Sequence, residues 1–247
     1  MPRNAIARTL MGVLIFQLGI AAFLILGDMR LGRIGIPDFG PDAPGLTEPV
    51  RPGDQRRTYA PRRDRPAVLP ARDPGNLPDR LVLTPEDGPT WRLEGEIAEG
   101  DAARIADLLA EADPPIETLI LQSPGGTVSE ALVLGRALRR LGIATRMLSG
   151  EYCLSACPYL LAGGVTRQVH PDASVGVHQH FYGRNVLLPA FVAVEDIQIS
   201  QAEVMDYLDE MGIDPMVMRH GLGTPPDEIY ILVPDELERY GFTTPES

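Results

Sequence analysis

The sequence predicts an α/β domain built on a parallel β-sheet with βα repeats, preceded by one N-terminal transmembrane helix. Three features carry this reading: short apolar runs alternate with amphipathic stretches over residues 91–247, an 18-residue segment near the N-terminus has no charge, and the stretch between them is dense in proline. With 247 residues, 44% hydrophobic and 23% charged, the chain is too apolar for disorder and has room for one core-forming domain with extensions. Its two cysteines, Cys153 and Cys157, supply neither a disulfide framework nor a four-cysteine zinc site, so an ordinary hydrophobic core must hold the fold.

Residues 1–27 read as a membrane anchor. The uncharged run 10–27 is flanked by Arg3 and Arg8 on one side and by Asp28, Arg30 and Arg33 on the other, and is long enough to span a bilayer. The sequence that follows, Gly-Asp-Met-Arg-Leu-Gly-Arg, offers no small-x-small cleavage site, which favours an uncleaved anchor over a cleaved and secreted protein. A slight excess of positive charge before the run favours a cytoplasmic N-terminus. The expectation is a single-pass inner-membrane protein whose C-terminal domain lies outside the cytoplasm, in the periplasm.

Residues 28–90 read as a Pro/Arg-rich linker. Twelve of the 24 prolines fall between Pro37 and Pro89, and ten arginines balance ten acidic residues there. Such a stretch buries too little apolar surface to order itself and behaves as an extended, semi-rigid spacer. The acidity is concentrated in residues 91–247, where ten arginines face 24 acidic residues, and the whole chain carries −12. That charge argues against nucleic-acid binding, which needs clustered cations. Every one of the 22 basic residues is arginine, so neither a Ser-Lys dyad nor a lysine Schiff base is open to this chain.

Within 91–247 the expected elements follow in order. A strand over 91–97 leads to an amphipathic helix over 99–112, with Ile105, Leu108 and Leu109 on its apolar side. A short buried strand at 118–122 (TLILQ) enters the turn Ser123-Pro124-Gly125-Gly126 and a helix over 128–141. A second unit has a strand at 144–148, a loop at 149–152 and a helix starting near Ser155. A strand at 174–180, a long helix over 193–211 and a closing strand-helix-turn over 229–242 complete the domain. Short apolar strands each followed by a helix imply a parallel sheet with right-handed crossovers.

Ligands of such sheets bind at the carboxyl ends of strands, and two of those junctions are unusual here. In Ser123-Pro124-Gly125-Gly126 the glycines allow a sharp turn and expose amide N–H groups that can receive an oxyanion. In Cys153-Leu154-Ser155-Ala156-Cys157 a serine hydroxyl stands at the opening of a helix, where unpaired first-turn amides and the helix dipole favour a nucleophile. Twenty-three residues on, Val175-Gly176-Val177-His178-Gln179-His180 offers His178 as the base.

SPGG, then a serine among small residues, then a strand carrying V-H-Q, together with the ending PDELERYGF, resembles the ClpP-like serine peptidase family of the ClpP/crotonase superfamily. The resemblance covers roughly residues 91–243. It implies Ser155 as nucleophile, His178 as general base, Gly125 and Gly126 as the oxyanion loop and the Ala156 amide as a second donor. The family's acid has no direct counterpart, and Asp227 is the nearest carboxylate to orient His178. The resemblance also implies a peptide or protein substrate and a homo-oligomer. Acyl transfer by this route needs no metal or other cofactor.

Cys153 and Cys157 bracket Ser155, which opens three readings: a disulfide that would fix or distort the nucleophile's backbone and allow redox control, a cysteine nucleophile, although neither occupies the serine slot of the resemblance, or a pair of small buried side chains. His178 and His180 share a strand face and could chelate zinc with His220, but no third ligand stands at a diagnostic spacing. Tyr152, Phe181 and Tyr182 could shape a substrate subsite, with ordinary packing near a loop the favoured reading. Two rival functions remain: a catalytically inactive binding module on the same fold, and a crotonase-like enzyme acting on acyl thioesters, which would have no need of the Ser155/His178 pair.

Overall fold

A computed structural model of the chain describes Arg8 and residues 11–21, 57–58, 77–180 and 190–245. The chain divides into two compact units, Met1–Pro41 and Asp42–Ser247. In the first, residues 11–21 form a helix, α1, with exposed side chains. Residues 1–7, 9, 10 and 22–27 of the expected anchor lie outside the described residues. Among the described residues no helix is long and apolar enough to cross a membrane.

The second unit is α/β. Its larger sheet has the order β2-β3-β4-β5-β7, formed by Val82–Asp87, Thr90–Glu94, Thr118–Gln122, Ala144–Met147 and Arg167–Val169. Four of these strands run parallel; β2 alone is antiparallel, on the edge beside β3. The parallel strands are connected through α2 (Asp101–Ala110), α3 (Val128–Leu141) and α4 (Cys157–Gly163). A smaller sheet has the order β1-β9-β8-β6, from Arg57–Thr58, Glu228–Ile231, Ser174–Val177 and Tyr152–Leu154. In it β6 and β8 are parallel and the other two pairs antiparallel. Single bridges, Ser123 with Cys153 and Ile97 with Gly126, run between the strand ends and the glycine turn. Helix α5 (Ala190–Glu210), a 3-10 turn at Pro215–Val217, α6 (Met218–Gly223) and α7 (Pro234–Arg239) complete the unit.

The βα order of the sequence reading holds, and several boundaries move. The spacer does not extend to residue 90, because β2 lies within it and Leu81 is fully buried. Pro85 is tolerated since β2 is an edge strand and its register shifts between Pro85 and Asp87. Residues 57–58 of the same stretch pair with β9. The strand expected at 91–97 ends at Glu94, before Gly95 at φ +119°. Strands β6 and β7, of three residues each, are too short to show a period in the sequence. On α2 the buried face is Ala102, Ile105 and Leu109, while Leu108 points outward.

Asp101, the first residue of α2, ties the start of the domain to its body. Its buried carboxylate accepts from the backbone N–H of Leu81 and Ala98, at 2.9 and 3.0 Å, and from the guanidinium groups of Arg80 and Arg104, both at 2.6 Å. Burial by itself would raise its pKa; the hydrogen bonds from Arg104, Leu81, Arg80 and Ala98 outweigh that and hold it at about 2.

Helix α4 is locked from two sides. A Cβ on Gly135 of α3 would stand 1.9 Å from the Tyr207 hydroxyl and 2.9 Å from the Tyr159 carbonyl, and that hydroxyl donates to the same carbonyl at 2.6 Å. At the far end, Arg139 and Arg167 donate to the Ala162 and Gly164 carbonyls, capping the helix with guanidinium N–H groups.

Because its hydrogen bonds hold the folded Asp101 carboxyl at about 2, well below the ordinary carboxylate range of the unfolded chain, it stabilises the fold above pH 4, and this is lost as pH falls toward 2. Asp101→Asn is expected to cost about 2 kcal/mol at pH 7, read from the denaturant midpoint, with the deficit shrinking below pH 4.

Candidate active site

Ser155 stands between the last residue of β6 and the start of α4, with φ +61°, and among the described residues it is the one non-glycine with positive φ. Left-handed backbone costs an L-residue about 1–2 kcal/mol, so its surroundings must impose it. The Ser155 N–H donates to the Gly176 carbonyl of β8 at 2.9 Å, and the preceding Leu154 N–H donates to the Ser123 carbonyl at 3.1 Å. Gly125 presses on the turn: a Cβ there would lie 2.5 Å from the Ser155 Cβ and 2.9 Å from the Ala156 nitrogen. Only glycine lets the SPGG loop come this close.

Parallel pairing of β6 with β8, with Leu154 opposite Gly176, places the residues just past both strands at one edge. His178 therefore meets Ser155, and its Nε2 lies 2.8 Å from Ser155 Oγ. The imidazole is buried at 6% exposure. Burial, then the neighbouring His180, lower its pKa to about 4, against the opposing pull of the Pro226 carbonyl. It is thus neutral at pH 7 and able to take a proton from the hydroxyl.

The structure does not bring Asp227 to the base. Asp227 is exposed, and His178 Nδ1 is buried without a hydrogen-bond partner. The carbonyl dipole of Pro226 is what acts on the ring from that side, although Nδ1 does not reach it at hydrogen-bond geometry. The physical reason is the path of the 220–226 segment. Gln179 N–H donates to the Thr224 carbonyl at 2.9 Å, its side-chain amide donates to the Leu222 carbonyl at 2.8 Å, and the Thr224 hydroxyl donates to the His220 carbonyl at 2.8 Å. This lays backbone rather than a side chain alongside the imidazole.

The two glycine amides differ. Gly125 N–H already donates to Ser123 Oγ at 3.1 Å, whereas the N–H groups of Gly126 and Ala156 make no hydrogen bond among the described residues. Those two are the donors left for an oxyanion next to Ser155. Cys153 and Cys157 form a disulfide, with both side chains fully buried and their Cα atoms 5.0 Å apart.

The histidines do not converge on a metal. His178 Nε2 faces Ser155, His180 Nε2 meets the Tyr159 hydroxyl at 2.9 Å, and His220 Nε2 meets the Tyr240 hydroxyl at 2.9 Å while stacking on Tyr230. Among the described residues there is no group of three or more His, Cys, Asp or Glu able to hold a metal ion. Tyr152 is fully buried in β6, packed with Leu154, Ile229 and Ile231; Phe181 and Tyr182 lie outside the described residues. Sequence reasoning missed Ser123, Tyr159 and the Pro226 carbonyl. The serine was legible in the SPGG motif, but the other two act through contacts over 21 to 48 residues of chain.

The fold and site together define an α/β protein with a serine-histidine pair at the carboxyl ends of two parallel strands. No protein-family model matches the chain, and no curated protein matches it.

Two outcomes follow for the rate at which an active-site-directed fluorophosphonate labels Ser155. It should be flat from pH 8 down to about 5 and half-maximal near pH 4, where folded His178 gains its proton, rather than near 6.5. Asp227→Asn should leave that rate within about twofold, since removing a triad acid matters only where the carboxylate touches the histidine.

Proposed function

We propose that this chain is a serine hydrolase of the ClpP type, acting on a peptide or protein. The observation that carries the reading is the 2.8 Å contact between Ser155 Oγ and the neutral His178 Nε2 at a left-handed turn. Ser155 Oγ attacks the substrate carbonyl carbon while Nε2 takes its proton. The resulting oxyanion receives the Gly126 and Ala156 N–H groups, donors that need no reorganisation as charge develops. His178 then gives its proton to the leaving amine, and the acyl-serine is hydrolysed by a water that the same nitrogen deprotonates.

Without a carboxylate at Nδ1, the imidazolium formed in each step is stabilised by a carbonyl dipole alone. A modest rate follows, because the charge pairing of a complete triad is lost. The reading includes an anchor at residues 10–27, a periplasmic catalytic domain and homo-oligomers. The uncharged N-terminal run supports the first two and the motif resemblance the third.

An inactive binding module on the same fold is the second reading, favoured by the buried, unpaired Nδ1. Fluorophosphonate labelling of the full chain separates the two. The hydrolase should be labelled at Ser155, with the rate falling at least about 100-fold in Ser155→Ala and His178→Ala, the lower bound for loss of a general base. A folded wild-type protein that stays unlabelled would be the binding module.

A further inference from the structure

We propose that the Cys153–Cys157 disulfide is a positioning clamp that holds Ser155 in its reactive left-handed conformation, so that hydrolysis requires the bridge to be closed. The inference rests on reading Ser155 as the nucleophile.

Five residues in an extended run place their end Cα atoms about 13 Å apart. Here the distance is 5.0 Å, and the chain reverses at the midpoint, where Ser155 takes φ +61°. The bridge and the strained serine are therefore one geometric unit. Both anchors are firm: Cys153 lies in β6, in register with Val175, and Cys157 opens α4, whose Tyr159 carbonyl accepts from the Tyr207 hydroxyl.

The restraints on the turn are unevenly placed. On its N-terminal side Ser155 is held by hydrogen bonds, its own N–H to Gly176 and that of Leu154 to Ser123. On its C-terminal side the Ala156 N–H makes no hydrogen bond among the described residues, which is what an oxyanion donor requires. There the Ala156 carbonyl accepts from the Tyr159 N–H at 3.2 Å, as α4 opens, and the disulfide closes the turn itself between Cys153 and Cys157. Covalent restraint thus leaves the donor vacant while fixing its position, a task that a hydrogen bond to the same amide would defeat.

Reduction by a dithiol breaks the S–S bond. The dithiol gives up two electrons and two protons and closes to its own disulfide, leaving Cys153 and Cys157 as thiols. Two thiols cannot stay at bonding distance. With both side chains fully buried, the separation they need passes into the backbone of residues 153–157. Displacing a reacting group by 1 Å can cost about 100-fold in rate.

The test compares the full chain purified without reductant, the same protein reduced with dithiothreitol under mild denaturant and returned to buffer, and Cys153→Ala/Cys157→Ala. Reduction is verified by a mass gain of two hydrogens. The fluorophosphonate labelling rate is expected to fall at least tenfold on reduction and to recover on reoxidation. The double variant should match the reduced rate whether or not reductant is present. The residual rate should keep its acid limb near pH 4, because a local shift of Ser155 leaves His178 buried.

An acid limb moved toward 6.5, or loss of the near-ultraviolet circular dichroism in the reduced protein, would show a bridge that holds the fold rather than the serine, and would overturn the clamp. Equal or faster labelling of the reduced, folded protein would also overturn it and leave the hydrolase intact. Absence of labelling in both redox states removes the hydrolase reading and the clamp with it. If the double variant does not fold, the reduced wild-type protein decides.

Discussion

The left-handed turn at Ser155 is the constraint on which the rest of the site depends. It exists because three pieces of backbone meet where a single side chain would block them: the end of β6, the Gly176 carbonyl of β8 and the bare Cα of Gly125. Each of the three has its own support. The β6–β8 register sets the height of His178 against Ser155. The glycine loop is fastened to the other side, where Ile97 N–H donates to the Gly125 carbonyl and Thr127 N–H to the Ile97 carbonyl. Behind the turn, α4 is held by the glycine-to-tyrosine contact with α3 and α5. A hydrophobic core is non-directional; it is these backbone contacts that turn a compact domain into one with a poised hydroxyl.

Electrostatics around the turn follow from burial. Glu151, just before β6, is buried; desolvation raises its pKa, and the buried Arg92 opposes that through an ion pair. Its second oxygen accepts from the Leu148 N–H at 2.8 Å, which closes the 148–151 loop that feeds β6. Here a charge is buried with a charged partner. At His178 the chain buries a base with none, and the result is a neutral imidazole whose Nε2 lies 2.8 Å from the serine hydroxyl. The same desolvation that keeps His178 uncharged makes its protonated form costly, so a site without a carboxylate gains a ready base and loses stabilisation of the ion pair that follows.

The order of strands and helices was legible because apolar periodicity and glycine turns are local. β4, α3 and the SPGG junction lie where TLILQ and the following 3.6-residue pattern put them. Ser155 and His178 were legible for a related reason, since each sits at a short motif next to a strand end. Pro-rich composition hid β2, because an edge strand accepts proline where a central one would not. The three-residue strands β6 and β7 were hidden by length.

What the sequence determined by itself was the α/β class, the alternation of elements, the exclusion of lysine chemistry, and the serine and histidine as candidates. All of these follow from residue types and spacings within a few turns of chain. Tertiary structure decided which groups touch. Asp227 follows Pro226 in the chain, yet it is the Pro226 carbonyl that acts on His178, because the hydrogen bonds of Gln179 and Thr224 settle the path of that segment. Likewise Gly125 and Gly126 are equivalent in the sequence. A hydroxyl two residues earlier, folded back at 3.1 Å, occupies the amide of one, and the other remains open. The first distinction arises from contacts between residues more than forty apart in the chain, where propensity and spacing carry no information; the second is a local turn whose donor becomes evident only in the folded backbone.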